Sequence, residues 1–280
     1  VHGVRLVVAY EGTDFCGWQR QPGQRSVQGV LEDAVASMCG HRVAVRGAGR
    51  TDAGVHAEGQ VAAFDSLREI PPRGWMLGLN QRLPEDVAVR HAEPAPVGYE
   101  PRFDAVDKTY RYLVLLGQAR DPHWRRRAWH LARVRASGKA PDMGDSHTRD
   151  GEPSGAVDGV RTLDLDAIRQ ASVHLVGTHD FAAFRAADDG RAVTTRTLHA
   201  LEVHERFAGH PDLVAFEVRG DAFLKQMVRI LVGTLVEVGR GTRTPSSVAA
   251  LLEPGARRAQ AGPTAPPHGL TLVRVTLGRH

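Results

Sequence analysis

A chain of 280 residues with 42% hydrophobic and 24% charged side chains has the composition of a globular protein, long enough for one large domain or two of similar size. The net charge of +4 and pI of about 9.4 lean toward a polyanionic partner, while Cys16 and Cys39, in no C-x-x-C pair, argue against a disulfide framework or a zinc site. No apolar run approaches the ~20 residues that span a bilayer, the 14 histidines follow no H-E-x-x-H spacing, and the N-terminal apolar stretch is too short for a signal peptide, so a cytoplasmic protein without metal is expected.

Residues 4–10, VRLVVAY, alternate as a strand with Val4, Leu6, Val8 and Tyr10 on one face. A glycine-bearing loop follows, then Ser26 as N-cap of a helix over 27–38. Val30, Leu31, Ala34, Val35 and Met38 give that helix one apolar stripe, and Gly40 marks its end. RVAVR (42–46) and QVAAF (60–64) read as strands on either side of the glycine-rich stretch GAGRTDAGVHAEGQ, 47–60. After Pro71–Pro72 a short helix reaches Leu79, and DVAVRHAEP reads as a further strand. KTYRYLVLL (108–116) is a strong strand with Tyr110 and Tyr112 on the same face.

Residues 120–135 carry six arginines against one aspartate, interleaved with Trp124 and Trp129. Guanidinium forks and indole faces suit phosphates and bases; a solvated basic face with both tryptophans in the core is the other reading. Residues 136–160 are rich in Gly, Ser, Pro and Asp and read as a flexible insertion. A helix is predicted from Asp164 through Ile168, Ala171 and Leu175 to Gly177, then two paired strands, TRTLHALEVHERF and DLVAFEVRG. A strongly apolar helix over 223–238, a last helix over 245–253 and the strand LTLVRVTL complete the order. This order favours an α+β fold with a largely antiparallel sheet, in two similar-sized halves taken as 1–104 and 105–280.

Three readings compete for the stretch 47–60. A dinucleotide loop is disfavoured, because Asp52 stands at the third glycine position of G-x-G-x-x-G and a strand, not a helix, follows. A plain glycine turn is the second. The third is catalytic: a lone carboxylate on a loop open to close backbone approach can act as nucleophile or base. Arg50 beside it would lower its pKa and offer a fork to phosphate or base. The local residues leave the last two open.

GRTDAGVHAEGQV resembles the signature of the tRNA pseudouridine synthase A family. The likeness runs on through GWQRQ at 17–21, SVQ at 26–28, LN-x-x-LP-x-D-x-AVR at 79–90, RF at 102–103, YRY at 110–112, DFAAFRA at 180–186, FLKQMVR at 223–229 and TAPPHGLTL at 264–272. It implies isomerisation of uridine to pseudouridine at positions 38, 39 and 40 of the tRNA anticodon stem-loop, with no cofactor and no metal. The implied fold is two ferredoxin-like halves forming a continuous sheet around a central catalytic cleft, usually as a homodimer. By the same resemblance Asp52 is the essential, ionised carboxylate and Arg50 helps flip the uridine out. Tyr110 packs against the base, Arg229 pairs with the acid and Leu270 walls the pocket. Lys225 and Arg229, four apart on the expected helix, would share a face. Gln19, Arg20, Arg102, Phe103 and Arg191 align with regions that touch RNA. Residues 136–160 are longer than the usual connector, Thr271 stands where many relatives carry tyrosine, and the 188–192 loop carries two acids. The competing function is a non-catalytic RNA-binding protein on the same scaffold.

Overall fold

The computed structural model describes residues 1–132, 134–135, 160–161 and 163–278. The stretch 136–159 of the expected insertion lies outside the described residues.

Strand β1 (His2–Tyr10) buries Val4, Leu6, Val8 and Tyr10 as its alternation predicts. Helix α1 (Val27–Cys39) starts where the Ser26 hydroxyl accepts the Gly29 N–H at 3.2 Å. It ends at Gly40, whose φ of 79° lets its N–H return to the Ala36 carbonyl. Of the next expected strand, 42–46, only Arg46 pairs; with Gly47 it forms β2 (Arg46–Gly47), against β3 (His56–Ser66). The cause is α1. Glu32 Oε1 accepts the Val45 N–H at 3.2 Å and Gln28 Nε2 donates to the Val45 carbonyl at 2.9 Å, so side chains satisfy the backbone a ladder would otherwise use. Helix α2 (Pro72–Asn80) and β4 (Val87–Ala95) follow, and Trp75 packs edge-on against Phe64 of β3.

A single turn, α3 (Pro101–Asp104), leads into β5 (Ala105–Gly117). Beyond it lie β6 (Trp129–Ala132), β7 (Val134–Arg135), β8 (Val160–Arg161), α4 (Leu165–Val173), β9 (Gly177–Asp180), β10 (Thr195–His204) and β11 (Leu213–Gly220). Helix α5 (Met227–Gly239) and β12 (Leu270–Leu277) close the fold. Two expected helices are corrected. Residues 245–252 form a 3₁₀ run instead of an α-helix. Helix α5 begins at Met227, not 223, because Gln226 takes the left-handed conformation with φ 60° and interrupts any helix before it.

The main sheet runs β4-β1-β3-β12-β5-β11-β10-β9. In the first half β1, β2, β3 and β4 take the spatial order 4-1-3-2, with β2 on the far edge of β3. In the second, β5, β10, β11 and β12 take the same order, β12-β5-β11-β10. Each is the β-α-β-β-α-β arrangement of a ferredoxin-like unit. The units join where β12 meets β3 in parallel through two residue pairs, Thr271↔His56 and Leu272↔Ala57. Every other pairing in the named order is antiparallel.

One continuous core lies between sheet and helices, and α5 is its hub. Nearly every α5 residue is buried, and a methyl added at Gly233 would come within 1.8 Å of the Pro263 carbonyl oxygen, so the segment before β12 lies directly on the helix backbone. On the opposite face of β5, Leu113 and Leu115 build a small second cluster with Ala128, Leu213, Ala215 and Trp124. Trp129 meets Tyr112 edge-on at 6.4 Å. Both tryptophans of the arginine-rich stretch therefore pack, partly buried, against the two apolar clusters, and Arg126 of that stretch pairs with Asp14 at 2.9 Å and Glu11 at 3.4 Å.

Candidate active site

The loop between β2 and β3 is bound on every side, which fixes Asp52 in space. Gly17 bridges to Asp52 in antiparallel fashion, and the Trp18 N–H donates to the Thr51 carbonyl at 3.0 Å. The approach is close enough that position 17 has to be glycine: its φ is 112° and a methyl there would sit 2.7 Å from the Thr51 oxygen. The Tyr10 hydroxyl and Thr51 Oγ1 share a hydrogen bond of 2.8 Å, and Gln60 Nε2 donates to the Gly49 carbonyl at 2.8 Å. Burial holds the Tyr10 phenol protonated, with its pKa pushed up to about 12.

Across the cleft, the start of α5 presents Arg229. Its Nε donates to the Ala265 carbonyl at 2.7 Å, and the Ala265 N–H donates back to the Arg229 carbonyl at 3.1 Å. This two-way tie aims Nη1 to within 3.8 Å of Asp52 Oδ2. The Asp52 carboxylate accepts no hydrogen bond among the described residues and is 31% exposed, while Arg229 is 12% exposed. Burial raises the Asp52 pKa above the ordinary carboxylate value; Arg229 and then Lys225 pull it back, and Asp188 adds to the rise. The expected pair between Asp52 and its sequence neighbour Arg50 is not formed. Arg50 is exposed, lines the open cleft and makes no ion pair among the described residues; Arg229 takes that place.

The loop at 188–191 ties to the turn before α5. Lys225 Nζ donates to Asp188 at 2.6 Å, Asp189 accepts the Lys225 N–H at 2.9 Å, and Arg191 Nη1 lies 3.3 Å from Asp189. The two acids thus anchor cations at the cleft. Lys225 sits in this turn and not on α5, so the expectation that it shares a helix face with Arg229 is corrected, although both line the cleft.

The cleft has a volume of about 800 Å³. Gln19, Arg20, Arg50, Asp52, Tyr110, Arg191, Arg229 and Leu270 all line it, though they come from loops and strands as far apart as residues 19 and 270. Tyr110 is 9% exposed, packed edge-on against Phe223 at 5.0 Å, and burial raises its hydroxyl pKa far above the ordinary value. Leu270 opens β12 at the cleft wall. Arg20 is held by Glu32 at 3.2 Å. Arg102 and Phe103 do not line the cleft; they stack on each other at 4.9 Å on α3, with Phe103 76% exposed. The support from Tyr10, Thr51 and Gln60 was not foreseen, since each reads as ordinary strand or loop until the chain is folded. Among the described residues no group of three or more His, Cys, Asp or Glu is placed to hold a metal, and no helix is long and apolar enough to cross a membrane.

The sequence that folds into these two units has counterparts among known proteins. A family model described as tRNA pseudouridine synthase matches residues 6–104 and 171–276. The chain is 42% identical to the tRNA pseudouridine synthase A of Geobacter sp. (strain M21), over 98% of each chain. It is 43% identical to that of Geobacter sulfurreducens, over 97% of this chain and 98% of the relative, and 45% identical to that of Myxococcus xanthus, over 97% and 91%. The chain belongs to the tRNA pseudouridine synthase A family, and is by that membership an isomerase.

Proposed function

We propose that the protein converts uridine to pseudouridine at positions 38, 39 and 40 of the tRNA anticodon stem-loop, with Asp52 as its catalytic carboxylate. The observation that carries this reading is the isolation of Asp52: one carboxylate, accepting no hydrogen bond among the described residues, held 3.8 Å from the largely covered Arg229 in a cleft of about 800 Å³. The reaction breaks the C1′–N1 bond, turns the uracil, forms C1′–C5, and moves the C5 proton away while N1 gains one. Asp52 starts it in the ionised form, either by attack on C1′ or by removal of the 2′ proton. A primary isotope effect with uridine deuterated at C2′ separates the second route from the first.

The halves divide the labour. Residues 1–104 carry the Asp52 loop, and residues 105–280 supply Tyr110, Arg229 and Leu270. Extruding a paired or stacked uridine costs a few kcal/mol. Arg50, exposed and free of ion pairs among the described residues, is available to fill the vacated place in the stack. Tyr110 and Leu270 enclose the flipped base, Arg229 keeps Asp52 charged, and Gln19, Arg20 and Arg191 contact the RNA from the cleft rim, with Arg102 and Phe103 beyond it. The protein acts as a cytoplasmic homodimer without cofactor.

The test is chemical mapping of pseudouridine in an unmodified tRNA transcript after incubation with wild type and with Asp52→Asn, without added metal or nucleotide. Product at 38, 39 and 40 with wild type alone is expected. Product from Asp52→Asn removes the carboxylate from the mechanism; tight binding without product by either protein leaves a non-catalytic RNA binder.

A further inference from the structure

Beside the catalytic loop, Lys108 has no anion among the described residues. Strand β5 places Lys108, Tyr110 and Tyr112 on one face, and the two tyrosines fill the core and the base side of the cleft. Lys108 is half-buried, yet no hydrogen bond or ion pair holds its ammonium among the described residues. Its Nζ rests against the backbone of the catalytic loop: a methyl built on Gly49 would lie 2.9 Å from Nζ and 3.5 Å from Cε. Burial, and then repulsion by Arg102 and Arg191, lower its pKa. Arg191 is already tied to Asp189, and Arg102 lies over the Phe103 ring, so neither brings a carboxylate toward Lys108.

Burial and two like charges both disfavour an ammonium at this position, and an apolar side chain of similar length would relieve the cost. An arriving anion reverses the balance, because all three cations then gain. Lys108 lies two residues before Tyr110 on the same strand face, about 7 Å along the strand from the position that faces the base. Gly49, lacking a side chain, leaves the approach open to a polymer backbone. We propose that Lys108, lying against Gly49 and within electrostatic reach of Arg102 and Arg191, seats a backbone phosphate of the RNA strand next to the flipped uridine. The assignment rests on the reading of the cleft as an RNA-modifying site, and makes Lys108 a positioning residue with no part in bond making.

The test uses the full chain carrying Asp52→Asn, so that binding is read without turnover, and a fluorescently labelled unmodified tRNA transcript titrated over a range of KCl. Adding Lys108→Met is expected to weaken binding roughly tenfold and to lower the slope of log affinity against log salt by about 0.7 to 0.9, the share of one phosphate contact. Lys108→Arg is expected to keep most of the slope. The melting temperature of Lys108→Met is expected not to fall, since a half-buried charge unpaired among the described residues is removed. If that variant proves poorly folded, Gly49→Ala gives a second reading: its methyl displaces Nζ, the flexible end of a side chain, and is expected to weaken binding several-fold. An unchanged slope and affinity in the folded variants overturns the proposal. Pseudouridine formation is followed separately with Lys108→Met in the otherwise wild-type chain. Absence of product from wild type, with the salt slopes behaving as stated, refutes the isomerase reading and leaves the phosphate seat standing.

Discussion

Replacing Arg229 by methionine isolates what the guanidinium does for Asp52. Two unit charges 3.8 Å apart attract by about 1 kcal/mol in bulk water and about 4 kcal/mol at an effective dielectric of 20. With Asp52 31% and Arg229 12% exposed, the pair lies between these limits. Burial already pushes the Asp52 pKa upward, and Arg229 is the larger of the two cationic influences that restrain it. A loss of about 1.4 kcal/mol is tenfold in proton affinity, so Arg229→Met is expected to raise that affinity roughly tenfold or more. The acid limb of the kcat/KM profile, which reports the free enzyme, then moves toward neutral pH by about one pH unit or more. Relative to wild type, activity of the variant falls more steeply as pH drops and recovers in part as pH rises. Methionine also leaves the Ala265 carbonyl without its donor, at about 1–3 kcal/mol of stability, which thermal unfolding measures separately. Arg229→Lys keeps the charge and is expected to restore much of the acid limb. An acid limb of Arg229→Met that superimposes on wild type refutes the electrostatic account, and a loss independent of pH reduces Arg229 to a positioning role.

Other outcomes follow from the same contacts. Because the native pKa of Asp52 is raised, its ionised form costs stability at neutral pH, and the cost disappears as pH falls through the native pKa. Asp52→Asn should therefore melt no lower than wild type at pH 7, with the difference shrinking toward pH 4; a lower melting temperature at pH 7 contradicts the sign. His56 shows the opposite linkage. Burial lowers its pKa, and its neutral ring accepts the Gly12 N–H at 2.9 Å while hydrogen bonding to the His268 carbonyl at 3.0 Å. Its contribution is complete above pH ~6.5 and lost as pH drops below that value, so denaturant titrations should give a shallower acid-side slope for His56→Asn than for wild type. Gly17→Ala forces a left-handed alanine against the Thr51 carbonyl and should cost about 1–3 kcal/mol; turnover is expected to fall further than that loss explains, and normal turnover would mean Asp52 does not depend on the bridge. Ser26→Ala removes the α1 cap and should cost about 1 kcal/mol in urea unfolding with kcat unaltered.

What was legible in the residues was mostly what neighbours in sequence decide. The buried face of β1, the Ser26 cap, the helix start near Asp164 and the Gly40 stop each depend on positions within a few residues. The truncation of β2 was hidden because Glu32 and Gln28, a helix away, take over the backbone of Val45. The late start of α5 was hidden because a glutamine, not a glycine, adopts positive φ at 226. Motif resemblance found the cleft residues and named Arg229, from the other half of the chain, as the partner of Asp52, whereas adjacency pointed to Arg50 two residues away, which does not pair with it. Lys108 gave no signal, since a lysine opening a strand is ordinary until the surrounding charges are known.

The join between the two halves also sets an order of events during synthesis. Strand β12 is the last element of the fold, yet it lies inside the sheet, paired to β3 on one side and β5 on the other. The segment just before it supplies the Ala265 carbonyl that aims Arg229, and its first residue is the Leu270 wall. A nascent chain therefore carries Asp52, Arg50 and Tyr110 long before it can unite them. Until residues 264–277 leave the ribosome, β3 and β5 expose unpaired edges and the carboxylate has no aimed arginine. Incomplete chains consequently keep open strand edges, a hazard for aggregation, and the fourteen residues 264–277 are what join the two units around one cleft.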